Sequence, residues 1–209
     1  MKPNVEIYVY KMVADNGGAP CVWRGLLSLA ICKPKIRGSA GKYDLIFGFG
    51  GKRYSERLIY IAKITDKESQ GNYYRKQKYC RRPDCIYKNV GGRAFRKSRA
   101  RYHNDSDQRR RDVGFRFQRA DVILSDDFRY LGKKGRNDYK RDYPAIKKLI
   151  EGLKQGHRVN HSQKLHDELL NLKAEIWRRY RRMKLGPPTD SDRSKLCNSD
   201  SPSARCSGR

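Results

Sequence analysis

The sequence predicts an α+β protein: a small curled sheet of antiparallel or mixed strands, five or six of them rolled into a barrel, followed by C-terminal helices. Three observations carry this. Short apolar runs with strand spacing fill residues 5–65 and return over 120–125, separated by glycine- and proline-bearing turns. After Tyr143-Pro144 the apolar spacing changes to three- and four-residue steps, the period of a helix with one buried face. Beyond Gly186-Pro187-Pro188 apolar residues almost vanish, which predicts a disordered tail over 186–209. The expected organisation is a barrel domain over 1–157 with a basic insertion at 71–119, then an amphipathic basic helix at 158–185, then the tail.

Taken in order, residues 5–13 alternate Val5, Ile7 and Val9 against Glu6, Tyr8 and Tyr10, as a half-buried strand does. Asp15-Asn16-Gly17-Gly18-Ala19-Pro20 defeats both regular structures and must be a loop. Residues 22–32 resume as strand, interrupted at Gly25. Pro34 lacks an amide hydrogen and pushes Cys32 and Lys33 toward extended geometry, so that strand should stop near Cys32. Lys33, Lys35 and Arg37 alternate, and an extended chain would aim all three one way. Leu45, Ile46 and Phe47 form the next strand and exit through Gly48, Gly50 and Gly51, where a backbone or ligand can come close. Residues 58–65 are apolar on both faces, which suits a central strand. Residues 113–117 and 120–125 close the sheet. A helix begins after Pro144 and ends near Gly156; a longer one spans 163–185, capped by Asn160 or Ser162.

The 209 residues carry 49 Lys and Arg against 22 Asp and Glu, a formal charge of +27. Self-repulsion of that size points to a polyanionic partner, nucleic acid before any other, DNA or RNA. No apolar run approaches the roughly 20 residues of a bilayer span, and no secretory signal is evident, so no membrane partner is expected. Six scattered cysteines suit a reducing cytoplasm. Cys80 and Cys85, with His157, His161 or His166, are the candidate zinc set, but two reduced thiols in a basic loop read better. No metal or cofactor is expected.

In the insertion, Tyr73, Tyr74, Tyr79, Tyr87 and Tyr102 are interleaved with arginines and lysines, among them Arg81, Arg82 and Arg96. Cations bind a phosphate backbone and tyrosine rings stack on exposed bases; the alternative is a basic segment that orders only on a partner. Arg178 and Arg182 crowd the end of the last helix. Together with Lys33, Lys35 and Arg37 these form the expected phosphate-binding set. A base pocket would draw on Trp23, Gly48, Phe49, Gly50, Ser125 and Tyr130. His103 stands near Asp105 and Asp107, and Asp126 and Asp127 lie at a strand end. His103, Asp126, Asp127 and Asp15 are the candidates for acid or base work, against ordinary loop salt links and turn caps.

The segment from Asp15 through Thr65, together with 125–132, resembles the nucleotide modification associated domain 2 family. The matching residues are Asp15, Gly18-Ala19-Pro20, Gly25, Leu29-Ala30, Cys32-Lys33-Pro34-Lys35-Ile36-Arg37, Ala40, Asp44, Gly48, Leu58, Tyr60, Ser125, Phe128, Tyr130, Leu131 and Gly132. Cys21-Val22 stands where that family usually has Asn-Pro, and Tyr43 where it has Gly. The family occurs in phages and bacteria alongside predicted enzymes that modify DNA bases. The resemblance therefore implies a place in a DNA-modification or defence system, and the host cytoplasm if the chain is phage-encoded. The order of elements is also similar to PUA-like and EVE-type barrels, which hold a flipped or modified base. The reading favoured is a binding protein that takes a modified or flipped base into a basic-rimmed pocket. An enzyme acting on a nucleobase or nucleotide is the alternative, and an RNA- or ribosome-associated basic protein the third.

Overall fold

The computed structural model describes residues 5–103, 105–154 and 156–191. In chain order the elements are β1 (Ile7–Met12), β2 (Cys21–Trp23), β3 (Leu26–Leu29), α1 (Pro34–Ser39), β4 (Leu45–Gly50), β5 (Leu58–Lys63) and β6 (Asp66–Glu68). The hairpin β7 (Tyr87–Val90) and β8 (Arg93–Arg96) follows, then α2 (Ser106–Val113), β9 (Val122–Ser125) and β10 (Asp127–Tyr130). The chain continues through α3 (Tyr139–Asp142), α4 (Pro144–Gly152), β11 (His157–Arg158) and α5 (Gln163–Arg179).

One sheet has the order β10-β5-β4-β1-β11, with β1 and β4 parallel and its other neighbours antiparallel; a second has the order β2-β3-β9-β6. β5 runs on into β6 and β9 into β10, with β5 paired antiparallel to β10 and β6 to β9. One bent ribbon thus belongs to both sheets. The α+β class is as the sequence predicts, but the sheets do not close into a barrel.

Both faces of the five-stranded sheet are covered, which explains its apolar strands. Tyr8, Tyr10 and Met12 of β1 enter the core between the sheets with Leu27, Leu29 and Ile123. Ile7 and Val9 enter a second core with Phe47, Ile146 and Ile150, sealed by Leu165, Leu169, Leu172 and Ile176 of α5. Fully burying such a side chain is worth about 1.5–3 kcal/mol, so the apolar stripe of α5 is what docks it. Ser162 caps α5 by accepting from the Leu165 amide at 3.4 Å, and the helix ends at Arg179, short of the expected 185.

Several expectations fail here. β3 does end ahead of Cys32, at Leu29, but Pro34 then starts α1, where a missing amide is harmless, and Cys32 and Lys33 are left-handed rather than extended. Lys33, Lys35 and Arg37 therefore do not alternate along an extended edge. Residues 113–117 end one helix and form a 3₁₀ turn instead of a strand. The insertion is neither open nor a stacking platform: Tyr73, Tyr74, Tyr79, Tyr87 and Tyr102 are buried in a third core with Ile31, Val122 and Leu124. Their hydroxyls are satisfied there; Tyr73 donates to Asp84 at 2.7 Å, Tyr74 to the Ala30 carbonyl at 2.8 Å and Tyr79 to Glu68 at 3.0 Å.

The first residues of the expected tail are part of the body. After α5 the chain runs beside β10, where the Tyr130 amide donates to the Met183 carbonyl at 2.7 Å and the Leu185 amide to the Tyr130 carbonyl at 2.9 Å. Residues 186–191 then fold back against the loop at 15–20. The rest of that tail, 192–209, with Cys197 and Cys206, lies outside the described residues. No described helix is long and apolar enough to cross a membrane.

Candidate functional site

The loop after β1 carries Asp15 into the interior, 1% exposed. Tyr130, at the end of β10, donates its hydroxyl to Asp15 Oδ1, and Thr189 donates its amide and hydroxyl to Oδ2 at 2.8 and 2.9 Å. The neighbouring Asp190 accepts from the Asp15 amide at 3.1 Å, from Arg53 at 2.6 Å and from the Tyr54 hydroxyl. Burial lifts the Asp15 carboxyl above the usual carboxylate range, although the Tyr130 and Thr189 bonds pull the other way. The Tyr130 hydroxyl is raised as well, by burial first and by Asp15 second.

Above this cluster opens a cleft of ≈ 440 Å³. Tyr102 and Tyr130 form its aromatic walls, Asn16 and Gly17 one side, and Arg99, Arg101 and Lys184 line it with positive charge. The loop lies tight against Tyr102: a Cβ added at Gly18 would meet that ring at 2.9 Å, so only glycine leaves room for the wall. Arg99, Arg101 and Lys184 are all exposed.

The expected phosphate-binding set divides. Lys35, Arg81, Arg178 and Arg182 are exposed, and Lys33 stacks over the Tyr10 ring at 4.7 Å. Arg37 is fully buried and donates to the carbonyls of Cys32, Arg119, Asp121 and Asp112. Arg82 is buried as well, bonded to the Tyr73 hydroxyl at 2.9 Å and to the carbonyls of Cys21, Trp23 and Leu26. Arg96 is turned inward onto the carbonyls of Ala100 and His103. Arg37 and Arg82 are buried with their guanidinium donors turned onto the chain itself, whereas Arg96 is partly buried and donates inward through Nε and Nη2.

The glycine-lined mouth is closed. β4 is buried along its whole length; a Cβ at Gly48 would meet the Tyr60 ring and one at Gly50 would meet Tyr54. Phe49 packs on Tyr139 in the helix-side core. Trp23 is half-buried, with Arg24 4.4 Å and Arg82 5.8 Å from its ring. Ser125 is buried and bonded to the Lys63 carbonyl at 2.6 Å. Of the expected base-pocket residues, Tyr130 lines the cleft.

The four acid–base candidates do not converge. Asp126 is exposed, and Asp127 accepts from the Trp177 ring nitrogen at 2.8 Å at the far end of β10 from Tyr130. His103 is buried beside Asp112 and Cys32, and Asp105 caps α2 by accepting from the Gln108 amide at 2.7 Å. Cys32 and Asp112 were missed by sequence reasoning; the signal for Cys32 was its place at the head of the most specific motif in the chain. Among the described residues no cluster of His, Cys, Asp and Glu is placed to hold a metal ion. Cys85 Sγ instead accepts from Lys97 Nζ at 3.2 Å, and the same ammonium donates to the Cys80 carbonyl.

No curated protein and no solved structure matches the chain. The family model of nucleotide modification associated domain 2 matches residues 4–195. That span takes in α5 and the returning segment, both of which the sequence resemblance left unassigned. The motif at 32–37, the loop at 15–20 and the Tyr130 strand end all fall within it, and the chain belongs to the nucleotide modification associated domain 2 family.

Proposed function

We propose that the protein binds nucleic acid, DNA in the first instance, and takes a modified or flipped base into the cleft under Arg99, Arg101 and Lys184. What carries the reading is the combination of three exposed cations with tyrosine walls in one concavity, on a chain of charge +27. The volume falls within the roughly 300–1,000 Å³ of small-ligand sites. Cations at the rim suit a sugar–phosphate backbone, and the edges of the largely buried Tyr102 and Tyr130 rings give the cavity a partly aromatic lining for an extruded base. The family's association with nucleotide modification agrees with a base as the ligand.

Fluorescence anisotropy decides the matter, using labelled single- and double-stranded DNA, plain and base-modified, and RNA of the same sequence. Affinity for DNA should fall linearly on a log–log plot against salt, with a slope of about −0.7 to −0.9 per phosphate neutralised. The base-modified strand should bind about tenfold tighter than the plain one, the scale of one good base contact. Salt-independent binding, or a stronger preference for plain RNA, rejects the reading.

A further inference from the structure

Behind the cleft wall, three segments bring a thiol, an imidazole and a carboxylate into line. Cys32 follows β3, His103 precedes α2 and Asp112 lies on it. Cys32 Sγ stands 3.2 Å from His103 Nε2, while His103 Nδ1 bonds the Asp112 carboxylate. Asp112 also accepts from the Tyr87 hydroxyl at 2.7 Å and from the Cys32 amide at 2.8 Å. His103 and Asp112 are buried, at 4% and 1% exposure, whereas Cys32 is half-exposed. We infer that Cys32, His103 and Asp112 form a nucleophilic triad for acyl transfer, in which Cys32 Sγ attacks the carbonyl carbon of an amide or ester.

The order of the groups decides for chemistry over mere packing. A carboxylate on Nδ1 fixes the tautomer whose lone pair sits on Nε2, and that lone pair faces the thiol. A thiol is a weak hydrogen-bonding group, so holding the imidazole alone would be better served by a hydroxyl or amide. The backbone is held in place at unusual cost. Cys32, Lys33 and His103 all have left-handed φ, at 58°, 45° and 47°, a region that non-glycine residues enter reluctantly and that clusters at active sites. Two buried-facing arginines secure it: Arg37 donates to the carbonyls of both Cys32 and Asp112 at 2.7 Å, and Arg96 to that of His103 at 2.7 Å. Arg37 and Arg96 are positioning residues.

The step balances with solvent water as its one co-reactant. The Sγ proton passes to His103 Nε2 as the S–C bond forms and the carbonyl π pair moves onto oxygen. That pair returns, the C–N or C–O bond breaks, and His103 delivers its proton to the departing atom. Water, deprotonated by His103, then adds to the thioester, and the S–C bond breaks to give the carboxylic acid and the free thiol. Asp112 orients the ring and stabilises the imidazolium. The inference does not depend on what the cleft binds.

Two measurements on the full chain test it. Iodoacetamide labelling at pH 6.5, read by peptide mapping, should modify Cys32 about tenfold faster than Cys80, the other half-exposed thiol among the described residues. In His103→Gln that advantage should disappear. Labelling of Cys32 no faster than Cys80, or unchanged by His103→Gln, overturns the triad. If His103→Gln fails to fold by circular dichroism, the comparison within the wild-type chain still decides. Second, p-nitrophenyl acetate should leave an acetyl group on Cys32 and release nitrophenolate in a burst absent from Cys32→Ser. Release equal to that of Cys32→Ser overturns acyl transfer.

Discussion

Asp15 and Asp112 are equally buried, at 1% exposure each, and both tie together segments far apart in the chain. Their surroundings differ in kind. Asp112 accepts from an imidazole, a tyrosine and an amide, with a thiol one ring away and an arginine bracing its own carbonyl. Asp15 is held by Tyr130 and Thr189 beside a second carboxylate, Asp190, beneath residues that line the basic cleft. Equal burial thus yields two different devices, because the partners, not the depth, determine what a carboxylate can do. One faces an imidazole and, beyond it, a thiol; the other ties the returning segment at 189–190 to the loop at 15–20.

The sharpest way to break this contrast is Arg37→Met. It strips the donors from four carbonyls, two of them belonging to Cys32 and Asp112. Orphaned buried acceptors cost about 1–3 kcal/mol each, so we expect a loss of at least about 4 kcal/mol. At about 2–4 °C per kcal/mol for a chain of this size, Tm should fall by about 10 °C or more. A fall below about 3 °C would deny Arg37 its bracing role. Asp112→Asn comes next: its amide turns a donor toward His103 or Tyr87, costing about 2 kcal/mol and slowing Cys32 labelling about tenfold, with both read on the same sample.

Asp15→Asn separates the two devices by pH. Burial holds the folded Asp15 carboxyl above its unfolded value, so its contribution is fully present in acid and is lost as pH rises through the raised value. The stability gap between wild type and Asp15→Asn should therefore be widest near pH 4 and narrow toward pH 7, as thermal melts at the two pH values would show. A gap that widens with pH contradicts the assignment. The smallest effect on stability, within about 0.5 kcal/mol, belongs to the exposed pair Arg99→Glu with Arg101→Glu. It should nevertheless weaken DNA binding about tenfold and flatten the salt slope by about 2.

The strands were largely legible because their burial is local in origin: alternation in β1, and two-sided apolar runs in β4 and β5. The stripe of α5 and its Ser162 cap were legible for the same reason. What composition hid was direction. In residues 71–119 the abundance of charge suggested an open surface, yet the tyrosine rings bury and the arginines Arg82 and Arg96 turn inward onto carbonyls. Pro34 illustrates a local ambiguity, since the lack of an amide that can end a strand serves equally to begin a helix, as it does here. His103 was noticed but paired with the wrong carboxylates. Its carboxylate partner, Asp112, lies only nine residues on, at the far end of α2, whereas Cys32 is 71 residues away, a range that leaves no periodic trace.

The return of the chain at Thr189 and Asp190 has a thermodynamic corollary. Since Thr189 bonds Asp15 and Pro188 and Ser191 line the cleft, the binding proposed for the cavity would share one free energy with the docking of residues 186–191. Ligand should protect that segment against proteases, and a chain trimmed after α5 should lose affinity without any contact residue on the opposite wall having changed.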